Sequence, residues 1–142
     1  MNRRGKFWLA TLAIATAAGI AAGPAMAQAP TRISENQAWS AFSAVVDGSK
    51  TCYIVSVPTD KQPTDRDHGE VFFMLASHSG ESSLQPQFKV GYPFKDDSKV
   101  TLEIDGKKYV MFTRGDSAWL ENAAEENAVV DSMRTGKAMS LT

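Results

Sequence analysis

Three features of this sequence have residue types that could do chemistry, and the first is a lone cysteine. Cys52 is the only cysteine in the chain, and it lies in the strand-like stretch "SKTCYIVSVP". A nucleophilic thiol needs a setting that lowers its pKa, such as a helix N-terminus. We therefore predict a structural cysteine, largely buried in a strand, and not a nucleophile with His68 or His78 as its base.

The second feature is the segment "DRDHGE", which brings imidazole and carboxylate groups together. Asp65, Asp67 and Glu70 surround His68, and His78 follows ten residues later. Transition metals use such ligands. However, no two of these residues have the i, i+4 spacing of a helical site, and Asp and Gly are ordinary turn residues. We predict a solvated loop without metal or cofactor, and a metal-dependent hydrolase is kept as the last alternative.

The third feature is the tetrapeptide Arg114-Gly115-Asp116-Ser117, which contains the tripeptide that integrins recognise. It follows a predicted strand, so we expect an exposed turn there. Gly-Asp after a strand is also common turn chemistry, and a three-residue match is weakly specific. Two interpretations therefore stay open, a contact loop and a plain turn.

The N-terminus has the order of a secretory signal peptide. Residues 1–6 carry three basic side chains and no acid, residues 7–22 carry no charge, and "GPAMA" follows. This order predicts a signal peptide over residues 1–27, because the apolar run is shorter than the roughly 20 residues of a spanning helix. Cleavage before Gln28 would leave no transmembrane segment and place the protein in the periplasm or outside the cell.

The charge of the remaining chain excludes some partners. Residues 28–142 keep 12 of the 15 basic residues against 16 acidic ones, a formal charge of −4. An acidic domain without a basic stripe is a poor binder of nucleic acid or of the surface of an anionic lipid membrane. We expect an unknown envelope or host protein as partner. Residues 28–38 are interpreted as a flexible lead-in, and residues 39–142 as a single β-rich domain.

The elements that must position these groups are mostly strands. Lys99–Ile104 and Lys107–Thr113 flank Asp105-Gly106, a dipeptide typical of a tight hairpin. Asn122 and Glu125 form a capping box that begins a helix, and Gly136 ends it. The other predicted strands cover residues 39–42, 44–46, 51–57, 71–76 and 88–94, with a further strand opening within 137–142. The pattern predicts an antiparallel β-sandwich-like domain with one short helix near the C-terminus.

From Trp39 onwards the chain resembles a known family. The resemblance rests on these segments, in order: "CYIVSVP", "GEVFFML", "GYPF", "VTLEIDGKKYVMFT", "GDSAW" and "DSMRTGKAMSL". They are similar to the invasion-associated locus B family of alphaproteobacterial secreted proteins. The resemblance implies a β-rich domain in the periplasm or at the outer membrane, without an established biochemical activity.

The resemblance also implies a pairing for Cys52. Relatives continue past the position of Leu141 with another strand pair and a terminal cysteine, which would be the disulfide partner of Cys52. We therefore expect that this chain lacks that partner and that its domain is C-terminally incomplete. The function expected from the whole sequence is a non-enzymatic interaction module in envelope maintenance or host-cell contact. The alternative is a host-adhesion factor acting through Arg114–Ser117.

Overall fold

A computed structural model describes residues 29–142 except residues 79, 81 and 82. Within this part the chain forms nine strands and one helix. In chain order they are β1 (Thr31–Asn36), β2 (Trp39–Val46), β3 (Ser49–Ser56), β4 (Phe72–His78), β5 (Gln85–Lys89), β6 (Lys99–Ile104), β7 (Lys107–Arg114), β8 (Ser117–Trp119), α1 (Ala123–Thr135) and β9 (Met139–Leu141).

The nine described strands form one continuous antiparallel sheet with the order β1-β2-β3-β4-β5-β8-β7-β6-β9. β1 to β5 are neighbours in the order of the chain, and so are β6 to β8. Pairing between β5 and β8 joins these two groups, and β9 adds to β6 at the far edge. The prediction of a mainly β, antiparallel domain with one helix near the C-terminus is confirmed.

One face of the sheet, called the inner face below, holds the core. Side chains alternate between the two faces of a strand, so Leu102 of β6 and Met111 of β7 both point to the inner face. Helix α1 covers them with Val129, and all three side chains are completely buried. The same cluster includes Phe73 and Leu75 of β4. The helix and the sheet therefore stabilise each other by excluding water from one face.

Helix α1 begins and ends where its local sequence predicts. The Asn122 side chain accepts a hydrogen bond from the backbone N–H of Glu125 at 3.0 Å, which satisfies a free donor of the first turn. At the other end, the N–H of Gly136 donates to the carbonyl of Ser132. Tyr109 of β7 fixes the helix to the inner face, because its hydroxyl donates to the Ala128 carbonyl at 3.0 Å. No helix among the described residues is both long and apolar enough to cross a bilayer.

The hairpin turn between β6 and β7 holds the segment that follows the helix. Asp105 adopts a positive φ of 45°, and its two carboxylate oxygens each accept a backbone N–H, from Lys137 and from Ala138, at 2.9 Å. The N–H of Asp105 donates in turn to the Ala138 carbonyl. These bonds place β9 beside β6, which confirms the strand predicted after the helix.

Two parts of the sequence prediction need correction. Residues 31–36 are not a flexible lead-in but form β1, whose six residues are all exposed. This strand needs no apolar pattern, because backbone pairing with β2 and a hydrogen bond from Arg32 to the Ser40 hydroxyl at 2.8 Å hold it in the sheet without burial. The strand predicted over residues 88–94 lies earlier, at Gln85–Lys89, and β8 was not predicted because it has only three residues.

Replacing the helix cap should destabilise the whole domain. We expect Asn122→Ala to lower the free energy of unfolding by about 1 kcal/mol, because the N–H of Glu125 loses its acceptor. Asn127→Ala is the matched control, since Asn127 is exposed within the same helix and alanine favours helix interiors. Urea titration measures both. Equal losses of stability in the two variants would contradict the capping role.

Candidate functional site

An open groove of about 390 Å³ lies between two distant parts of the sheet. We call it the β9 groove. On one side it is lined by the start of β2 and the end of β3, and on the other by the end of α1 and by β9. β2 and β9 are seven positions apart, which would be about 33 Å in a flat sheet. The sheet is therefore strongly curled, and the groove lies where its inner face is left uncovered.

The lining of the β9 groove is mostly apolar. Aromatic residues of β2, β4 and β5 line it, and among them Trp39 and Phe88 share the inner face with Phe73. The opposite wall carries Met133 of α1 and Leu141 of β9. A concave site of this size and lining falls in the range of sites that bind small molecules. Binding there would remove apolar surface from water, which is the main driving force for association.

Few polar groups reach the groove. Among the described residues that line it, Lys137 is the one with a charge, and Ser56 and Thr59 supply hydroxyl groups. The Ser56 hydroxyl lies 3.5 Å from the Val57 carbonyl. The described lining residues include no His, Cys, Asp or Glu. The lining that they form has the apolar surface needed to bind an apolar ligand.

The predicted contact loop Arg114–Ser117 is held against the β5–β6 connection. The carbonyls of Asp116 and Gly115 accept backbone N–H groups from Val90 at 3.0 Å and from Phe94 at 2.7 Å. Ser117 begins β8 and is 3% exposed, so it cannot be part of the possible contact loop, and its position fits the plain-turn interpretation. Arg114 and Gly115 are exposed. The segment is a turn with one buried end, because β8, which begins at Ser117, pairs with β5 on one side and with β7 on the other.

The Asp116 carboxylate is engaged within the turn. It forms an ion pair with the Lys89 ammonium, and its other oxygen accepts the Ser117 hydroxyl at 2.9 Å. The hydrogen bond from Lys89, followed by that from Ser117, holds the pKa of Asp116 below its ordinary value. An acid with these internal partners has a structural role in positioning the turn.

The acidic loop predicted around His68 is ordered by its own hydrogen bonds. Nε2 of His68 lies 2.9 Å from the Pro63 carbonyl, and Asp67 accepts the N–H of Gly69 at 2.8 Å. Gly91 packs on this loop so closely that a Cβ there would lie 2.6 Å from the Cα of Gly69. In the described part of the chain no three His, Cys, Asp or Glu side chains are grouped to hold a metal ion. The side chain of His78 lies outside that part.

The prediction that Cys52 is buried is wrong, although its strand assignment is confirmed. Cys52 lies within β3, opposite Ser43 of β2 and Ser77 of β4, and it is exposed as a free thiol. Ile54, two residues along the same face, packs against the core opposite Leu75. Burial therefore ends between Ile54 and Cys52. Alternation along the strand predicts the face correctly, but it does not predict how far the core extends along it.

Sequence reasoning did not identify the β9 groove. The sequence favours a core position for Trp39 and the Phe72-Phe73 pair, and the structure buries Phe73 and packs the partly buried Trp39 against the core, while all three residues also line the groove. The alternation of Met139 and Leu141 predicted a strand with one apolar face. Nothing in the sequence pattern indicated that this face meets β2.

Comparison of the chain with protein-family models, with curated proteins and with solved structures found no match. The resemblance noted from the sequence is therefore neither supported nor opposed by these comparisons. Functional interpretation rests on the geometry of the groove and the turn.

The ion pair of Asp116 should make stability depend on pH. A carboxyl whose pKa is lowered by folding stabilises the fold above its unfolded pKa, and that contribution is lost as pH falls through the folded pKa. Asp116→Asn should therefore be less stable than the parent chain at pH 7, and the difference should shrink as the pH falls below about 4. Urea titrations from pH 7 to pH 2 measure this.

Asp131→Asn is the control for this titration, because Asp131 pairs with Arg134 at 3.8 Å on the exposed surface of α1. It should lower stability at pH 7 less than Asp116→Asn does. A difference between Asp116→Asn and the parent that stays constant from pH 7 to pH 2 would contradict the role assigned to Asp116.

Because Cys52 is exposed, we expect its thiol to react rapidly with thiol-labelling reagents. Labelling of the native protein should be nearly as fast in buffer as in urea, because no unfolding is needed to reach the thiol. Cys52→Ser should show no labelling and should change the free energy of unfolding by less than about 0.5 kcal/mol. Labelling that is slow in buffer and fast in urea would show that the thiol is covered.

Proposed function

We propose that this protein is an exported, non-enzymatic binding module of the cell envelope and that it binds its ligand in the β9 groove. The observation that carries the proposal is the groove itself, an uncovered aromatic and aliphatic concavity of about 390 Å³. Exposed apolar concavities of this kind lose hydration when they are filled, and they commonly mark sites of interaction.

The chemistry of the lining supports binding in preference to catalysis. A hydrolytic or transfer reaction needs a nucleophile next to a base, or a metal ion that activates water. The described lining residues supply hydroxyl groups and one ammonium group, and the imidazole of His68 belongs to a different cluster beside Tyr92. The groove offers shape and apolar area, which suit recognition.

Export and family membership are further parts of this proposal. The signal-like order of residues 1–27 supports secretion to the periplasm or beyond it. The segments shared from Trp39 onwards support membership of the invasion-associated locus B family, and with it a role in envelope maintenance or host contact. The expected partner is then an envelope or host component.

The alternative of adhesion through Arg114–Ser117 has less support from the geometry. An acidic side chain that contacts a receptor must offer free carboxylate oxygens, and both oxygens of Asp116 have partners within the turn. We therefore base the proposal on the groove and not on this loop.

Site-specific photocrosslinking tests the proposal without knowledge of the ligand. A photoreactive residue at Val57, which lines the groove and is 65% exposed, should crosslink to an envelope component. Val110, which is 56% exposed and does not line the groove, is the matched control position. Introducing Ala38→Trp should suppress the product at Val57, because the indole would occupy the mouth of the groove.

Three results would contradict the proposal. Equal products from Val57 and Val110, or a product at Val57 that Ala38→Trp does not change, would place binding elsewhere. Clear turnover of a substrate by the purified protein, lost in Ala38→Trp, would show that the site is catalytic.

A further inference from the structure

We propose that the ligand of the β9 groove is a single-chain amphiphile with an anionic head, such as a long-chain carboxylate, whose head group lies at Lys137. The inference deepens the proposed function and rests on it, because it assigns a ligand class to the same groove. Its evidence is a largely apolar lining in which Lys137 is the one charged residue among those described.

The floor and walls of the groove match a hydrocarbon chain. Phe73 and Ile104, which are 3% and 4% exposed, contribute apolar surface from β4 and β6, and Met133 and Met139 add flexible thioether side chains. Methionine adapts to irregular apolar ligands. Each methylene that moves from water into such a lining contributes about 0.8 kcal/mol. A flexible chain can follow this open groove more easily than a rigid ring system.

The single charged lining residue selects the head group. Lys137 is exposed, follows the end of α1 directly, and has no ion-pair partner among the described residues. Its backbone is fixed by the bond from its N–H to Asp105, so the side chain starts from a defined point. An ammonium group without an ion-pair partner among the described residues, on a residue that lines an apolar groove, is complementary to an anion attached to an apolar chain.

The neighbouring acid directs its oxygens at the backbone. Both oxygens of Asp105 accept backbone N–H groups, from Lys137 and Ala138. Asp105 is not among the lining residues. The C-terminal end of α1 carries a partial negative charge, and the N–H of Gly136 satisfies one of its carbonyls, that of Ser132. The ammonium group of Lys137 is the charge that a ligand in the groove meets.

Titration with dodecanoate and with dodecanol separates the chain from the head group. The full chain with Trp8→Phe and Trp119→Phe retains Trp39 as its only tryptophan, and Trp39 lines the groove. Dodecanoate below its micelle concentration should change the fluorescence of Trp39 with saturation. The Ala38→Trp variant contains a second tryptophan near Trp39, so its dodecanoate binding is measured by calorimetry instead of fluorescence. We expect this variant to show no saturable binding.

Variants of Lys137 test the head group. Lys137→Ala should weaken dodecanoate binding about two- to fivefold, the range for an exposed ion pair, and Lys137→Glu should weaken it further. Lys95→Glu is the matched control, because Lys95 is exposed and does not line the groove. Dodecanol should bind equally to the parent and to Lys137→Ala. Added salt should weaken dodecanoate binding more than dodecanol binding.

Several results would overturn the inference. One is an absence of saturable dodecanoate binding, and another is an equal effect of Lys95→Glu and Lys137→Glu. If dodecanol binding also depends on Lys137, the effect of Lys137 does not come from pairing with an anionic head group. Sedimentation of the protein with phosphatidylglycerol vesicles would indicate a membrane surface in place of a single chain. If dodecanoate fails while crosslinking at Val57 still depends on the open groove, only the ligand class is wrong, and the proposed function stands.

Discussion

Burial of one face of a curled sheet by a single helix is the constraint on which the rest of this structure depends. Leu102, Met111 and Val129 are completely buried in the one core cluster that α1 shares with β6 and β7. Most of the outer face has no such cover. It carries separate aromatic pairs, Phe42 with Tyr53 and Phe112 with Trp119, whose ring centroids are 5.3 and 5.8 Å apart. Because one short helix cannot cover the inner face of nine strands, parts of that face remain open, and the β9 groove and the exposed Cys52 both lie in them.

The end of the helix determines the shape of the groove. A Cβ at Gly136 would lie 2.6 Å from a methyl group of Ile104 and 2.9 Å from the Ser132 carbonyl, so a glycine lets the chain pass between the helix and β6. Asp105 then holds the next two backbone N–H groups, and β9 forms beside β6. The wall that carries Lys137 and Leu141 is therefore positioned by the Asp105 carboxylate and by pairing with β6, and Leu141 also packs against the core.

Local elements could be predicted from the sequence, whereas features that depend on distant contacts could not. The hairpin around Asp105-Gly106 and the helix capped by Asn122 follow from residues within a few positions of each other, and both are confirmed. β1 carries no apolar pattern because it is held by pairing with β2. The exposure of Cys52 depends on where the core ends, and the groove combines residues from β2 to β9. In such cases the residue types predict a strand and the face on which each side chain lies, but they do not predict which distant residues cover that face.

The most direct test of this account is native-state hydrogen exchange of the backbone amides. Local opening exposes weakly packed elements at low free energy, and only global unfolding exposes the best-packed ones. The amides of Leu102 and Met111 should therefore exchange slowest, with free energies close to that of global unfolding, and those of β1 should exchange much faster. Protection of β1 equal to that of β6 and β7, or fast exchange at Met111, would contradict a fold organised around the contact between α1 and the inner face.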